Sequence, residues 1–212
     1  MEDLEIVFHL SSPISLGFPW VFFDSLLAHV MLREELGEKY YSLPTKIPVK
    51  DIPRPPLKYY RDVPVASVSI IEPAPSLQVF SYFKRGDHPF PKGRISRGSG
   101  FFKDFYLKAV YAPAQRVRFY ATGEAGEIKR LVGKVSALGK ERNIGFGFVK
   151  RVEVAEAEGE YGLVRGGLAM RPIPVKYLRY YEDSAYLAYK PPYWARESVE
   201  LCAVPFTRVE LG

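Results

Sequence analysis

The chain has 212 residues, 47% of them hydrophobic and 25% charged, a composition that is typical of a folded globular protein and excludes wholesale disorder. The single cysteine, Cys202, excludes an internal disulfide and a metal site built from cysteines. The net charge of +6 permits a nucleic-acid partner, and the acidic N-terminus and short apolar runs predict a cytoplasmic protein with no membrane span.

The first part of the chain alternates between strand and helix patterns. Residues 4–10 have the composition of a strand, and residues 23–36 carry apolar side chains at helical spacing, with Asp24 as the expected N-cap. Six prolines predict an irregular segment over residues 44–64. Side-chain types alternate along residues 65–71, which are therefore predicted to form a second strand.

The same succession returns after a long insertion. Residues 116–121 are predicted to be a strand, and a helix is expected from Thr122 or Gly123 to about Leu138. Side-chain types alternate along residues 146–155, which are predicted to form the last strand. The order β-α-β-β-α-β predicts an α+β fold of the ferredoxin-like (RRM-like) type. In that fold an antiparallel sheet carries both helices on one face.

The insertion, about residues 73–113, is predicted to form a basic β-hairpin from residues 77–83 and 105–111. Nine Lys and Arg residues lie between positions 82 and 118 against two aspartates, a surplus of seven positive charges. Cations neutralise phosphates, and the interleaved aromatic rings can stack on unpaired bases. The residues of the insertion expected to contact nucleic acid are His88, Arg94, Arg97, Phe101, Phe102 and Lys103.

A glycine-rich loop joins the second predicted helix to the last strand. Glycine adopts positive φ and permits close approach, while Lys and Arg add fixed positive charge suited to phosphate. A tight connection that merely needs positive φ is the alternative explanation. A nucleotide-binding P-loop is disfavoured, because it precedes a helix whereas this loop follows one. The residues expected to contact an RNA backbone are Gly139, Lys140, Arg142, Asn143, Gly145 and Gly147.

The C-terminal part, residues 158–212, is expected to form a β-rich extension packed on the first domain, residues 1–157. Its Pro-Pro-Tyr-Trp sequence at 191–194 has the character of a turn. A hydrophobic lid over the core is favoured for this segment over a protein–protein contact, although Tyr and Trp are common anchors in interfaces.

Three motifs resemble those of a known superfamily. The loop Gly139-Lys140-x-Arg142-x-x-Gly145-x-Gly147 is similar to the glycine-rich loop of the RAMP superfamily of CRISPR-associated proteins. Two further motifs complete a resemblance to its Cas-five family in the type IV CRISPR form: Ser12-Pro13 with Phe23-Asp24-Ser25-Leu26-Leu27-Ala28, and Pro191-Pro192-Tyr193-Trp194 with Cys202-Ala203-Val204-Pro205.

The resemblance implies a non-catalytic subunit of a guide-RNA complex. Such a subunit grips the 5′ handle of a single-stranded guide RNA, caps one end of the complex and contacts other CRISPR effector subunits. The hairpin of residues 73–113 would be its thumb, which wedges beside the first guide nucleotides. No cofactor is implied.

Two other functions stay open. One is a metal-independent endoribonuclease, since some Cas-five relatives cleave the precursor RNA. His29 is the candidate catalytic residue, because such cleavage needs a base for the 2′-hydroxyl proton, with a Lys or Tyr as its partner. No histidine pair has metal-ligand spacing, so no metal site is expected. The other function is a protein-interaction scaffold without RNA affinity.

Overall fold

The computed structural model describes residues 1–17, 19–42, 52–74, 76–84, 98 and 103–212. The α-helices of this part of the chain are α1 (Phe23–Leu36) and α2 (Ala125–Val132), and neither is long and apolar enough to cross a membrane. The strands in the same ranges are, in chain order, β1 (Glu2–Leu10), β2 (Ile14–Ser15), β3 (Tyr59–Tyr60), β4 (Val63–Pro64), β5 (Ile70–Glu72), β6 (Gln78–Lys84), β7 (Phe105–Ala112), β8 (Arg116–Gly123), β9 (Val149–Glu156), β10 (Val164–Arg165), β11 (Leu168–Ala169), β12 (Ile173–Pro174), β13 (Leu178–Tyr181), β14 (Ser184–Ala188), β15 (Val199–Ala203) and β16 (Val209–Leu211).

Four strands form the main sheet, which is antiparallel throughout and has the order β5-β8-β1-β9. At its centre Ile6 lies opposite Phe119 of β8 and Val154 of β9. Alternate residues of a strand point to opposite faces, so Leu4, Ile6 and Phe8 share the buried face. The chain is therefore a mixed α+β protein, as its predicted elements indicated.

Both helices pack in one hydrophobic core on this face of the sheet. The ring of Phe119 contacts Phe8 edge-on with centroids 5.9 Å apart, and contacts Phe23 of α1 with centroids 5.1 Å apart. Helix α2 adds Ile128 and Leu131, both fully buried. Burial of this apolar surface is the dominant favourable contribution to folding.

Helix α1 has the predicted bounds, but α2 is shorter than predicted. It ends at Val132 before Gly133 instead of continuing to Leu138. The apolar residues beyond it stay buried in extended chain, where Ala137 forms a β-bridge with Phe148. Because buried apolar residues continue after the helix ends, the sequence pattern predicts a longer helix than the one that forms. Strand β9 likewise begins later than predicted.

The strand predicted over residues 65–71 was largely wrong, because only β5 at its end is a regular strand. The guanidinium of Arg171 occupies this region. Its Nη1 donates to the carbonyl oxygens of Pro64 and Ala66, at 2.9 Å each. Those two carbonyls are therefore taken by a side chain from a distant part of the sequence.

Strands β6 and β7 pair as the predicted hairpin, and β2 pairs with the end of β7. The hairpin exposes large apolar side chains, with 61% of Val79, 72% of Phe83 and 59% of Tyr106 accessible. Large exposed apolar patches are typical of interaction sites.

Residues after β9 form three small sheets: β10-β11, β12-β15-β14 and β13-β16. They surround a second hydrophobic core that includes Ile173, Tyr189 and Cys202. Val63 and Val65 from the first part of the chain belong to the same core. The C-terminal strands are therefore packed against the rest of the protein.

A buried ionic cluster fixes this packing. Asp24 is fully buried and accepts hydrogen bonds from Arg171 Nη1 at 3.3 Å and from the Tyr193 hydroxyl at 2.6 Å. The prediction that Asp24 is the N-cap of α1 was wrong, because Phe22 holds that position without a side-chain cap bond. Burial raises the pKa of Tyr193 well above its usual range, so its hydroxyl stays neutral and donates.

Candidate nucleic-acid interface

The glycine-rich loop between α2 and β9 is held by its own backbone. The amide of Lys140 donates to the carbonyl oxygen of Ser15 at 2.7 Å. Gly139 and Gly147 have φ of +78° and +70°, and a Cβ on them would overlap the carbonyl oxygens of Ser15 and Leu138 respectively. The tight-connection explanation therefore accounts for these two glycines.

The outer turn of the loop faces outward. Arg142 and Asn143 begin a 3-10 turn, and both side chains are exposed, as is that of Lys140. Gly145 closes the turn with φ of +102° and has open space where a Cβ would lie. The turn thus presents to solvent the cations of Lys140 and Arg142, the amide side chain of Asn143 and the open backbone at Gly145.

The loop also packs against the base of the hairpin. The Phe146 ring lies 6.1 Å from that of Phe80 in β6 and 5.5 Å from that of Tyr111 in β7, between centroids. The Tyr82 hydroxyl donates to the carboxylate of Glu141 at 3.4 Å. The glycine-rich loop and the basic insertion, distant in sequence, are therefore neighbours.

A cleft of about 350 Å³ opens beside the loop. Gly139, Lys140 and Arg142 form one wall, while the segment before α1 and the first turns of α1, including His29, form the other. The side chain of Lys140 passes over Gly17, where a Cβ would collide with it. A cleft with cations along one wall favours an anionic ligand.

His29 is half-buried in this cleft, next to the cations of the loop. Its Nδ1 lies 2.8 Å from the hydroxyl of Tyr40. Burial lowers the pKa of His29 below its usual range, and the charges of Arg142 and Arg33 lower it further. The imidazole is therefore neutral near pH 7. In the described part of the chain, no group of three or more His, Cys, Asp or Glu side chains is arranged to hold a metal ion.

Most of the predicted hairpin contacts lie outside the described residues, namely His88, Arg94, Arg97, Phe101 and Phe102. Lys103 is described and exposed, just before β7. The hairpin residues that contact the glycine-rich loop, Phe80, Tyr82 and Tyr111, belong to its described strands.

An aromatic wall next to the cleft was not predicted from the sequence. Trp20 and Phe22 line both the cleft and an adjoining pocket of about 430 Å³, whose other side includes Tyr193 and Trp194. Tyr193 is half-buried and its hydroxyl is hydrogen-bonded within the ionic cluster, whereas Trp194 is 62% exposed and does not fit the predicted lid. The density of aromatic residues between positions 18 and 23 is the signal that points to this wall.

The chain matches the model of a known protein family. A family model described as CRISPR type IV associated protein Csf3 matches residues 84–205, more than half of the chain. No curated protein matches the chain.

Proposed function

This chain belongs to the Csf3 family of CRISPR type IV associated proteins, and from that premise we propose that it grips the 5′ handle of guide RNA. The type IV CRISPR assignment drawn from the sequence motifs is thereby confirmed. In the proposal the protein caps one end of a cytoplasmic effector complex, with single-stranded guide RNA and other CRISPR effector subunits as its partners.

The observation that carries the proposal is the cleft beside the glycine-rich loop. Lys140 and Arg142 line it together with aromatic side chains that include Trp20 and Phe22. Cations bind the phosphates of a strand, and aromatic rings stack on bases that are not paired. Single-stranded RNA offers both groups at once, because its bases are free.

The sheet supports a ferredoxin-like RAMP arrangement of the first domain. Taken along the chain, β1, β5, β8 and β9 are the strands of a β-α-β-β-α-β succession. Their order in the sheet places β1 between β8 and β9, and both helices pack in one core on one face of this sheet. In the proposal residues 1–157 form this domain and residues 158–212 its extension.

The hairpin is proposed to be the thumb. Its base contacts the glycine-rich loop through Phe146, and its exposed apolar side chains suit burial against a neighbouring subunit or RNA. Its surplus of positive charge would draw the strand towards the same cleft.

Charge reversal in the loop tests RNA binding. The variant Lys140→Glu plus Arg142→Glu should bind single-stranded repeat RNA more weakly and with a shallower dependence on salt, because fewer counterions are released. The control Lys129→Glu plus Arg179→Glu makes the same change of net charge at exposed positions outside the cleft. Equal affinity of both variants for the RNA, with unchanged melting temperatures, would show that the loop does not contact RNA.

A second candidate function is a metal-independent endoribonuclease, favoured by the position of His29 in the cleft. When Nδ1–H donates to the Tyr40 hydroxyl, the lone pair of Nε2 can take a proton from a 2′-hydroxyl. The lowered pKa keeps the imidazole in its basic form.

Incubation of the protein with repeat RNA in EDTA separates the two candidates. Cleavage that is lost in His29→Ala, and reduced in Tyr40→Phe, would identify an enzyme. RNA that stays intact but bound would identify a binding subunit.

A further inference from the structure

A second pocket continues the cleft. Trp20, Phe22 and Ser25 line both, so the two spaces share a wall. The second pocket measures about 430 Å³, within the range of roughly 300–1,000 Å³ that is usual for small-ligand sites. Tyr193 and Trp194 lie on its other side.

The aromatic floor of this pocket is fixed in place. The rings of Phe22 and Tyr193 are stacked, with centroids 3.8 Å apart and planes at 19°. The Tyr193 hydroxyl is tied to Asp24 and Arg171, neither of which is exposed. A pocket whose side chains are already ordered loses little conformational entropy when a ligand binds.

Trp194 supplies an accessible aromatic surface at the rim, since 62% of it is exposed. The lining of this pocket contains no charged side chain among the described residues, whereas the adjoining cleft carries Lys140 and Arg142. The combination suits a ligand with a flat, weakly polar body attached to an anionic chain.

We propose that this pocket takes one unstacked nucleobase of the RNA strand whose phosphates lie along Lys140 and Arg142. The proposal rests on the proposed function and adds to it the place where a base leaves the stack. A protein side chain from a neighbouring subunit would match the aromatic rings but not the cationic cleft that continues from them.

Intrinsic fluorescence reports on this pocket directly, because both tryptophans of the chain, Trp20 and Trp194, line it. The full chain is titrated at constant salt with a short single-stranded RNA and with an abasic strand of the same length. The RNA should change the tryptophan emission, and the abasic strand should bind through its phosphates without that change.

Two variants sharpen the test. Trp194→Ala should weaken binding of the RNA by roughly 5- to 150-fold, the equivalent of about 1–3 kcal/mol of stacking, and leave the abasic strand unaffected. Tyr186→Ala removes another exposed ring of the C-terminal extension, 77% accessible and outside the pocket, and should change neither.

The outcomes separate this inference from the proposed function. RNA that binds with unchanged emission, or equally to Trp194→Ala, overturns the base pocket and leaves RNA binding standing. Absence of binding to either strand at low salt overturns both. Protection of Trp194 only in an assembled complex, and not by RNA, would assign the pocket to a neighbouring subunit and overturn the inference.

Discussion

Replacing Arg171 with methionine tests how the C-terminal extension is held to α1. The side chain of Arg171 is completely buried and pairs with Asp24, which is buried as well. It also donates to the carbonyl oxygens of Pro64, Ala66 and Tyr189. Methionine fills much of the volume but leaves the carboxylate and all three carbonyls without this donor.

The expected loss follows from these contacts. Breaking a buried ion pair by removing one partner costs roughly 3–5 kcal/mol. A buried acceptor left without a donor costs about 1–3 kcal/mol. Arg171→Met should therefore lose at least about 5 kcal/mol of the free energy of unfolding, which is comparable to the whole stability of a small domain.

A milder variant keeps the measurement possible if Arg171→Met does not fold. Tyr193→Phe removes only the hydroxyl between Asp24 and Arg171, and should lose about 1–3 kcal/mol. Urea unfolding followed by circular dichroism gives these values by linear extrapolation, with Tyr186→Phe as the exposed control. A loss below about 1 kcal/mol for Arg171→Met would refute the structural role of the cluster.

Two further predictions concern the loop and acid stability. Gly147→Ala should lower the melting temperature more than Gly145→Ala, because both have positive φ but only a Cβ at Gly147 would overlap backbone; equal losses in thermal unfolding would contradict this. Burial acts to raise the pKa of Asp62, but hydrogen bonds from Lys190, Tyr189 and Tyr177 outweigh it and lower that pKa to about 2, below its ordinary 3.8. Because the folded pKa is the lower one, the contribution of Asp62 to stability is complete above about pH 4 and is lost as the pH falls towards 2. In Asp62→Asn the urea midpoint of unfolding should therefore change less between pH 4 and pH 2 than in the unmodified protein. An equal change of the midpoint with pH in both proteins would contradict this prediction.

Local patterns predicted α1 and several strands closely, whereas the strand predicted over residues 65–71 was largely wrong. The apolar spacing predicted the bounds of α1, and the strand-like segments predicted for β1, β8 and both strands of the hairpin agree with the structure to within two residues. These signals succeed because each element buries one face of its own sequence. The same rule misjudged the end of α2, where buried residues continue in extended chain to Leu138.

Contacts between distant residues escaped prediction. Asp24 has the position of a helix cap in the sequence, yet its partner Arg171 lies 147 residues away. The composition of the glycine-rich loop was visible from the sequence, but the proximity of His29, Trp20 and Trp194 to it depends on how α1 and the C-terminal strands pack. No local spacing carries that information.

Guide RNA is proposed to lie in the cleft beside the glycine-rich loop. The most direct measurement is photo-cross-linking of the complex purified from its host, with the attached peptides identified by mass spectrometry. We expect a short RNA of uniform 5′ end, cross-linked to residues 16–29 and 139–147. A complex without RNA, or cross-links confined to surfaces away from Lys140 and Arg142, would contradict it.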